Sequence, residues 1–152
     1  MKDYPWGKGT VNWLRDATAN DSDKSFTVPA GKIWDVMSIA ATLATTATVG
    51  NRILHVYITD GTNTVYSSPS SGNVAASGYG GIRIVPGSNY TTSALFGRLD
   101  TPTGMTSVSV TDSPSSKLYL PAGYVIRVWD RAAIDAAADD MTVVLHYMEY
   151  DA

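Results

Sequence analysis

The feature that most constrains the fold of this chain is a turn that occurs twice between apolar runs. Residues 28–31 read Val-Pro-Ala-Gly and residues 120–123 read Leu-Pro-Ala-Gly, and each follows a short apolar run and precedes a longer one. Proline presets φ at one corner of a turn, and glycine accepts the positive φ that follows it. Each copy therefore predicts a reversal of the chain between two β-strands.

Strand signals recur along the rest of the chain, with turn residues between them. They lie at 26–28, 32–40, 52–59, 64–66, 82–85, 93–99, 105–110, 118–120, 124–130 and 141–150. In the run 32–40, period two places Ile33, Asp35, Met37 and Ile39 on one face and Trp34, Val36 and Ser38 on the other. Asp60 and Gly61 predict a tight hairpin. Short strands at such spacing indicate an all-β sandwich or barrel.

Two segments depart from the strand pattern. Residues 1–24 alternate charges with Trp6, Trp13 and Leu14 and show neither helical nor strand periodicity, so we expect an N-terminal arm. The arm is either loosely draped or docks its tryptophans on a neighbouring subunit. Residues 131–138 are rich in alanine and predict one or two turns of helix that cap an end of the sandwich.

Groups able to carry out catalysis are few. The chain has no cysteine, which excludes disulfides, thiol nucleophiles and zinc sites built on cysteine. His55 and His146, the only histidines, fall on strand faces of mixed polarity, and Glu149, the only glutamate, falls on the face opposite His146. We therefore predict no catalytic residue and no cofactor.

Four aspartates, Asp130, Asp135, Asp139 and Asp140, cluster around the alanine-rich segment. Oxygen ligands at that density would suit calcium, although the alternating acidic frame of an EF-hand loop is missing. The other interpretation is that these carboxylates cap the segment and stay solvated. Calcium therefore stays open, and we assign no metal ligand.

Charge is scarce, at 16% of residues against about 25% in an average protein. Between residues 36 and 97 the only formal charges are Arg52, Asp60 and Arg83. Interface cores are depleted of charge and enriched in aromatic residues, so we expect a contact between subunits. The candidate interface residues are Trp6, Trp13, Leu14, Tyr57, Tyr66, Tyr79 and Tyr90. A net charge of −3 and the lack of a long apolar run predict neither a nucleic-acid partner nor a membrane partner.

The turn motifs resemble those of a group of small virion proteins from tailed bacteriophages. The resemblance covers residues 25–150 and rests on the Val-Pro-Ala-Gly-Lys, Gly-Asn-Arg, Thr-Asp-Gly and Leu-Pro-Ala-Gly turns and on the Asp-rich stretch at 135–140. It implies a jelly-roll-like antiparallel β-sandwich of about eight strands, here a single domain over residues 25–152. Several such proteins are capsid decoration (cement) proteins, often trimers.

From the resemblance and the low charge we expect a non-enzymatic structural protein on the capsid surface of a virion, made in the host cytoplasm. Its expected partners are copies of itself, as a homotrimer, and the major capsid protein. One alternative is a tail, neck or fibre-associated sandwich that binds a host glycan or another virion protein. A further alternative, a small cupin-like or esterase-like enzyme, would be marked by bound metal.

Overall fold

Two β-sheets make up the fold in the computed structural model, which describes residues 8–87, the backbone of 105–110, and residues 116–152. The described strands are β1 (Thr10–Asp16), β2 (Asp23–Thr27), β3 (Lys32–Ala44), β4 (Leu54–Thr59), β5 (Thr64–Pro69), β6 (Tyr79–Ile84), β7 (Met105–Val110), β8 (Leu118–Pro121), β9 (Val125–Asp130) and β10 (Asp140–Asp151). All pairs are antiparallel except β6 with β7. Within the described ranges, no helix has the length and apolar character to cross a membrane.

The order of the strands is that of a jelly roll. One sheet runs β1-β10-β3-β6-β7, with β8 beside the first part of β3, and the other runs β2-β9-β4-β5. Two groups of four strands, β1-β10-β3-β6 and β2-β9-β4-β5, thus form the frame of two interleaved Greek keys. The prediction of a jelly-roll-like antiparallel sandwich is confirmed, and β7 and β8 extend its eight-stranded frame.

The two Pro-Ala-Gly turns lie side by side at one end of the sandwich. Gly31 and Gly123 have φ of 71° and 86°, the left-handed conformation expected of them. The turns also bond to each other, because the amide of Gly123 donates to the carbonyl of Val28 at 3.0 Å and the amide of Val28 donates to the carbonyl of Tyr124 at 2.9 Å. The repeated motif therefore joins β2 and β9 at that end.

The core lies between the sheets and is built from the inward side chains of both. Its buried members include Phe26, Trp34, Val36, Ile39, Leu43, Leu54, Val56, Ile58, Ile82, Ile84, Leu120, Ile126, Val128, Met141, Val143 and Leu145. Leu14, Tyr66, Leu118 and Tyr124 pack against this cluster and are partly buried. Alternate residues along each strand point outward, so each sheet also has an outer face.

A bulge in β3 corrects the face that the alternation predicted for Ile39. Ser38 pairs with His146 and Val36 pairs with Tyr147, so Met37 is an extra, unpaired residue. The bulge moves Ile39 to the inner face with Trp34 and Val36, where it is fully buried. It leaves Met37 on the outer face with 46% of its surface exposed.

The segment expected to form an arm contributes strands to both sheets. β1 pairs with β10 over its whole length, from Thr10 opposite Glu149 to Asp16 opposite Val143. The buried Lys24 then ties the following loop down, since its Nζ donates to the carbonyl of Thr18 at 2.9 Å and lies 3.4 Å from Asp16. Residues 10–24 are therefore part of the sandwich.

The helix predicted at 131–138 is wrong, because the structure has turns there. The Asp130 carboxylate accepts hydrogen bonds from the backbone amides of Ile53, Ala132 and Ile134, at 2.9 to 3.1 Å. Ala133 and Asp135 both have φ of 51°, which a right-handed helix does not allow. The hydrogen bonds between these backbone amides and the Asp130 side chain thus outweigh the helical preference of alanine.

Candidate functional site

An exposed apolar patch lies on the outer face of the first sheet, and we call it the apolar face. It consists of Val11, Trp13, Met37, His146 and Met148. Val11 is opposite Met148 and Trp13 is opposite His146 in the pairing of β1 with β10. Val11 and Trp13 are 62% and 66% exposed. None of the five is an acid, a lysine or an arginine, and the charges that border them on this face are Arg15 and the mostly buried Asp35, which lies opposite Met148.

The apolar face reaches the edge of its sheet. β1 is the last strand of the sheet among the described residues, so one side of its backbone has no strand beside it. Edge strands are normally blunted by charge, proline or a covering segment, because they otherwise pair with other chains. β1 instead carries two outward apolar side chains, Val11 and Trp13, and one outward charge, Arg15. This edge is suited to contact with another protein surface.

A second cluster lies on the outer face of the other sheet, and we call it the aromatic face. It consists of Asp23, His55, Tyr57, Arg127 and Trp129. The rings of His55 and Trp129 are stacked, with centroids 6.4 Å apart, and Tyr57 meets His55 edge-on at 6.5 Å. The Arg127 guanidinium lies 4.2 Å from the centroid of Trp129, a cation–π contact. The carboxylate of Asp23, on β2, accepts hydrogen bonds from Nε and Nη2 of Arg127.

His55 is the most buried polar ring of the aromatic face, with 9% of its surface exposed. Its Nε2 lies 2.8 Å from Oγ of Ser67. Burial, and then the positive charge of Arg131, lower the pKa of His55 below its ordinary value of 6.5, so the ring is neutral at pH 7. Its Nδ1 and the Nε1 of Trp129 are buried without a hydrogen-bond partner among the described residues. Each such atom costs about 1–3 kcal/mol of stability.

The structure does not bring the predicted interface residues together on one surface. Trp13 is on the apolar face and Tyr57 on the aromatic face, which lie on opposite sides of the sandwich. Leu14 and Tyr66 point inward and pack against the core. Tyr79 is half-buried at the start of β6.

Two further predicted interface residues, Trp6 and Tyr90, lie outside the described residues. The residues that sequence reasoning missed are Trp129, Arg127 and Asp23. The strand pattern places Trp129 and Arg127 on one face of a strand, but only the pairing of β2 with β9 brings Asp23 beside them.

The four clustered aspartates serve four different partners. Asp139 pairs with the buried Arg52, and Asp130 caps the turn that follows β9. Asp135 accepts hydrogen bonds from the hydroxyls of Thr46 and Thr48, which hold its pKa below the usual range. The Asp140 carboxylate accepts a hydrogen bond from the amide of Asn20. The Asp140 contact joins β10 to the loop between β1 and β2, and the Asp135 and Asp139 contacts fasten the segment between β9 and β10 to the loop between β3 and β4.

The histidines and the glutamate are also separated. His55 is on the outer face of the second sheet and His146 on the outer face of the first. Glu149 accepts a hydrogen bond from Nε1 of Trp34 at 3.0 Å. Within the residues that can be described, no three histidine or acidic side chains are grouped as a metal site would need.

Comparison with known proteins adds nothing to the fold and the two faces described above. No protein-family model and no curated protein matches the chain. A similar solved structure is described as "Structure of infectious bursal disease virus Gx strain", with 12% identity and a TM-score of 0.29. The match covers 95% of this chain and 42% of that chain, so this chain spans less than half of the other. A likeness this distant carries no argument about fold or function.

Proposed function

We propose that the chain is a non-enzymatic structural protein of a virus particle, a capsid decoration protein that resembles those of tailed phages. The observation that carries the proposal is the apolar face, where Trp13 and Val11 are 66% and 62% exposed on an edge strand. A soluble monomer rarely leaves such side chains uncovered, and contiguous exposed apolar surface marks a binding site. The turn motifs resemble those of phage virion proteins, and this resemblance indicates that the partner is a capsid.

In this proposal the apolar face is covered by copies of the chain in a homotrimer and by the capsid shell. Tryptophan buries about 150–250 Å² in such contacts and is among the residues that dominate interface energies. The face sits on a sheet whose strands are fixed by core packing, so little conformational entropy is lost when it binds. Many copies on one shell would multiply modest contacts through avidity.

The arrangement of the candidate groups favours a structural role over an enzymatic one. A general acid or base has to lie within hydrogen-bond reach of its substrate and is oriented by a second polar group. His146 is on one outer face, His55 is buried on the other, and Glu149 is held by Trp34 and by Lys32, whose Nζ is 3.5 Å away. The proposal therefore assigns no catalytic residue.

The experiment is a binding assay on particles of the virus that encodes the chain, prepared without it. Purified wild-type protein, Trp13→Ser and Val65→Ser are incubated with these particles, and the bound copies are counted after sedimentation. Val65 is the matched control, because it is an apolar side chain 46% exposed on the other sheet. We expect wild type and Val65→Ser to bind with equal affinity, and Trp13→Ser to bind at least about tenfold more weakly.

Two results would overturn the proposal: wild-type protein that does not sediment with the particles, or Trp13→Ser that binds as well as wild type. Immunogold labelling of complete particles shows whether the protein lies on the head or on the tail. Label on the capsid surface supports decoration, whereas label confined to the tail, neck or fibres supports the alternative assignment to those parts.

A further inference from the structure

The aromatic face offers a built set of ligand-binding groups that the proposed function does not use. Tyr57 and Trp129 are half-buried on adjacent strands, with His55 between them. Two of the buried polar atoms that lack a partner, His55 Nδ1 and Trp129 Nε1, are on this face. Unsatisfied groups of this kind call for a specific explanation in a folded protein. Their position beside the half-buried rings of Tyr57 and Trp129 marks the face as a candidate binding site.

The guanidinium of Arg127 is held in place on this face. Its Nε is 2.9 Å from Oδ1 of Asp23, its Nη2 is 2.5 Å from Oδ2, and its Cζ lies over Trp129. Hydrogen bonding to Asp23 raises the pKa of Arg127 above its usual value, so the cation is permanent. Nη1 has no partner among the described residues, and this donor remains for a ligand. A side chain fixed in this way loses little entropy on binding.

A second cation, Arg131, gives the face its charge preference. Arg131 is exposed and continues the alternation of Arg127 and Trp129 along β9, and its amide donates to the carbonyl of Ile53, two residues before His55, at 2.9 Å. Within the described part of the chain no carboxylate lies in ion-pair distance of its side chain. Arg127 is neutralised by Asp23, whereas Arg131 is not, so the face carries an excess positive charge although the whole chain has a net charge of −3. A ligand that carries a carboxylate complements this excess.

We infer that the aromatic face, through Tyr57, Arg127 and Arg131, binds a saccharide that carries a carboxylate. Aromatic rings pack against the C–H faces of sugars, and a guanidinium binds a carboxylate through paired, charge-assisted hydrogen bonds. Hydroxyls of Tyr57 and Thr64, 2.9 Å apart, add donors and acceptors at the rim for sugar hydroxyls.

The site is independent of the proposed function, because it lies on the sheet opposite the apolar face. A subunit bound to a shell through the apolar face would present the aromatic face to the medium. The two proposals can therefore fail separately: loss of saccharide binding leaves particle binding and self-association intact, and the converse also holds.

The test is a glycan array that carries neutral, carboxylated and sulfated saccharides of matched length, probed with the labelled full-length chain. Titration calorimetry with polygalacturonate oligosaccharides, and with malto-oligosaccharides as the neutral probe, follows. We expect retention by carboxylated saccharides only. Arg131→Gln should weaken galacturonate binding about tenfold or more, and Tyr57→Ala by a similar factor.

Three variants keep this test decisive. Arg15→Gln removes an exposed arginine from the other sheet and should bind as wild type does. Arg131→Lys keeps the charge and should retain part of the affinity that Arg131→Gln loses. Each variant is first shown to have the melting temperature of wild type. An array without carboxylated hits, or Arg131→Gln that binds galacturonate as tightly as wild type, overturns the inference.

Discussion

Arg52 donates from Nε to Oδ2 of Asp139 at 2.8 Å, and neither side chain is exposed to solvent. The same guanidinium donates from Nη1 to the carbonyls of Thr48 and Gly50. The pair therefore fixes the loop before β4 to the turn before β10, at one end of the sandwich. Because both charges are desolvated, each one depends on the other for its compensation.

Replacing one member of this pair should be far more damaging than replacing both. Arg52→Met leaves the Asp139 carboxylate buried without its cation, and we expect it to lower the free energy of unfolding by about 3–5 kcal/mol. Arg52→Met combined with Asp139→Leu should recover part of that loss. Arg15→Met, at an exposed position, should change stability by less than about 0.5 kcal/mol. Urea unfolding gives these values, and additive losses in the double variant would contradict the account.

The two Pro-Ala-Gly turns should both require their glycine. Gly31→Ala and Gly123→Ala place a Cβ on a residue with positive φ, and each should cost about 1–2 kcal/mol although the space around both is open. Gly72 also has open space and no positive φ, so Gly72→Ala should not show this loss. Thermal unfolding of the three variants provides the comparison. Equal melting temperatures for all three would show that the turns tolerate any residue.

Acid should destabilise the protein through His55. The pKa of His55 is lowered in the folded chain, mainly by burial, so below pH 6.5 the unfolded chain binds a proton that the folded chain excludes. The free energy of unfolding should therefore fall as the pH drops from about 7 toward 5.5. His55→Gln should flatten this dependence, and His146→Gln should keep it because His55 remains. A wild-type stability that rises on acidification across this range is incompatible with a buried neutral ring.

Substitutions at two neighbouring residues of β1 should affect the free energy of unfolding and self-association differently. Leu14 packs against the core, so Leu14→Ala should lower the free energy of unfolding by about 1–3 kcal/mol. Trp13 is 66% exposed, so Trp13→Ala should change it by less than about 0.5 kcal/mol when unfolding is measured at high dilution. If Leu14→Ala had no effect, residues 10–16 would not be an integral strand of the sandwich.

Local sequence signals predicted much of the sandwich. The paired Pro-Ala-Gly turns, the Asp60–Gly61 hairpin and the apolar runs correspond to strand reversals and strands because these signals act within a few residues. The strand β1 was not predicted because it has apolar side chains on both faces, Leu14 inward and Val11 and Trp13 outward. It therefore lacks the alternation of apolar and polar residues that indicates a half-buried strand. The bulge at Met37 likewise depends on how β10 pairs with β3, which the alternation of one strand does not reveal.

The site was less accessible to sequence reasoning than the fold. Residues 131–138 have the alanine content of a helix, but the Asp130 carboxylate and its distant partner Ile53 hold turns there. Asp23 and Arg127 are 104 positions apart and meet only because β2 pairs with β9. Low charge directed attention to the surface, but it could not distinguish Trp13, which is exposed, from Leu14 and Tyr66, which face the core.

The central claim is that the apolar face is covered by copies of the chain, and solution mass tests it most directly. Sedimentation equilibrium of the wild-type protein should give about three times the chain mass of 16.2 kDa, and Trp13→Ser should shift the population to 16.2 kDa. Val65→Ser should match wild type. A wild-type protein that stays at 16.2 kDa over the whole accessible concentration range would contradict the claim.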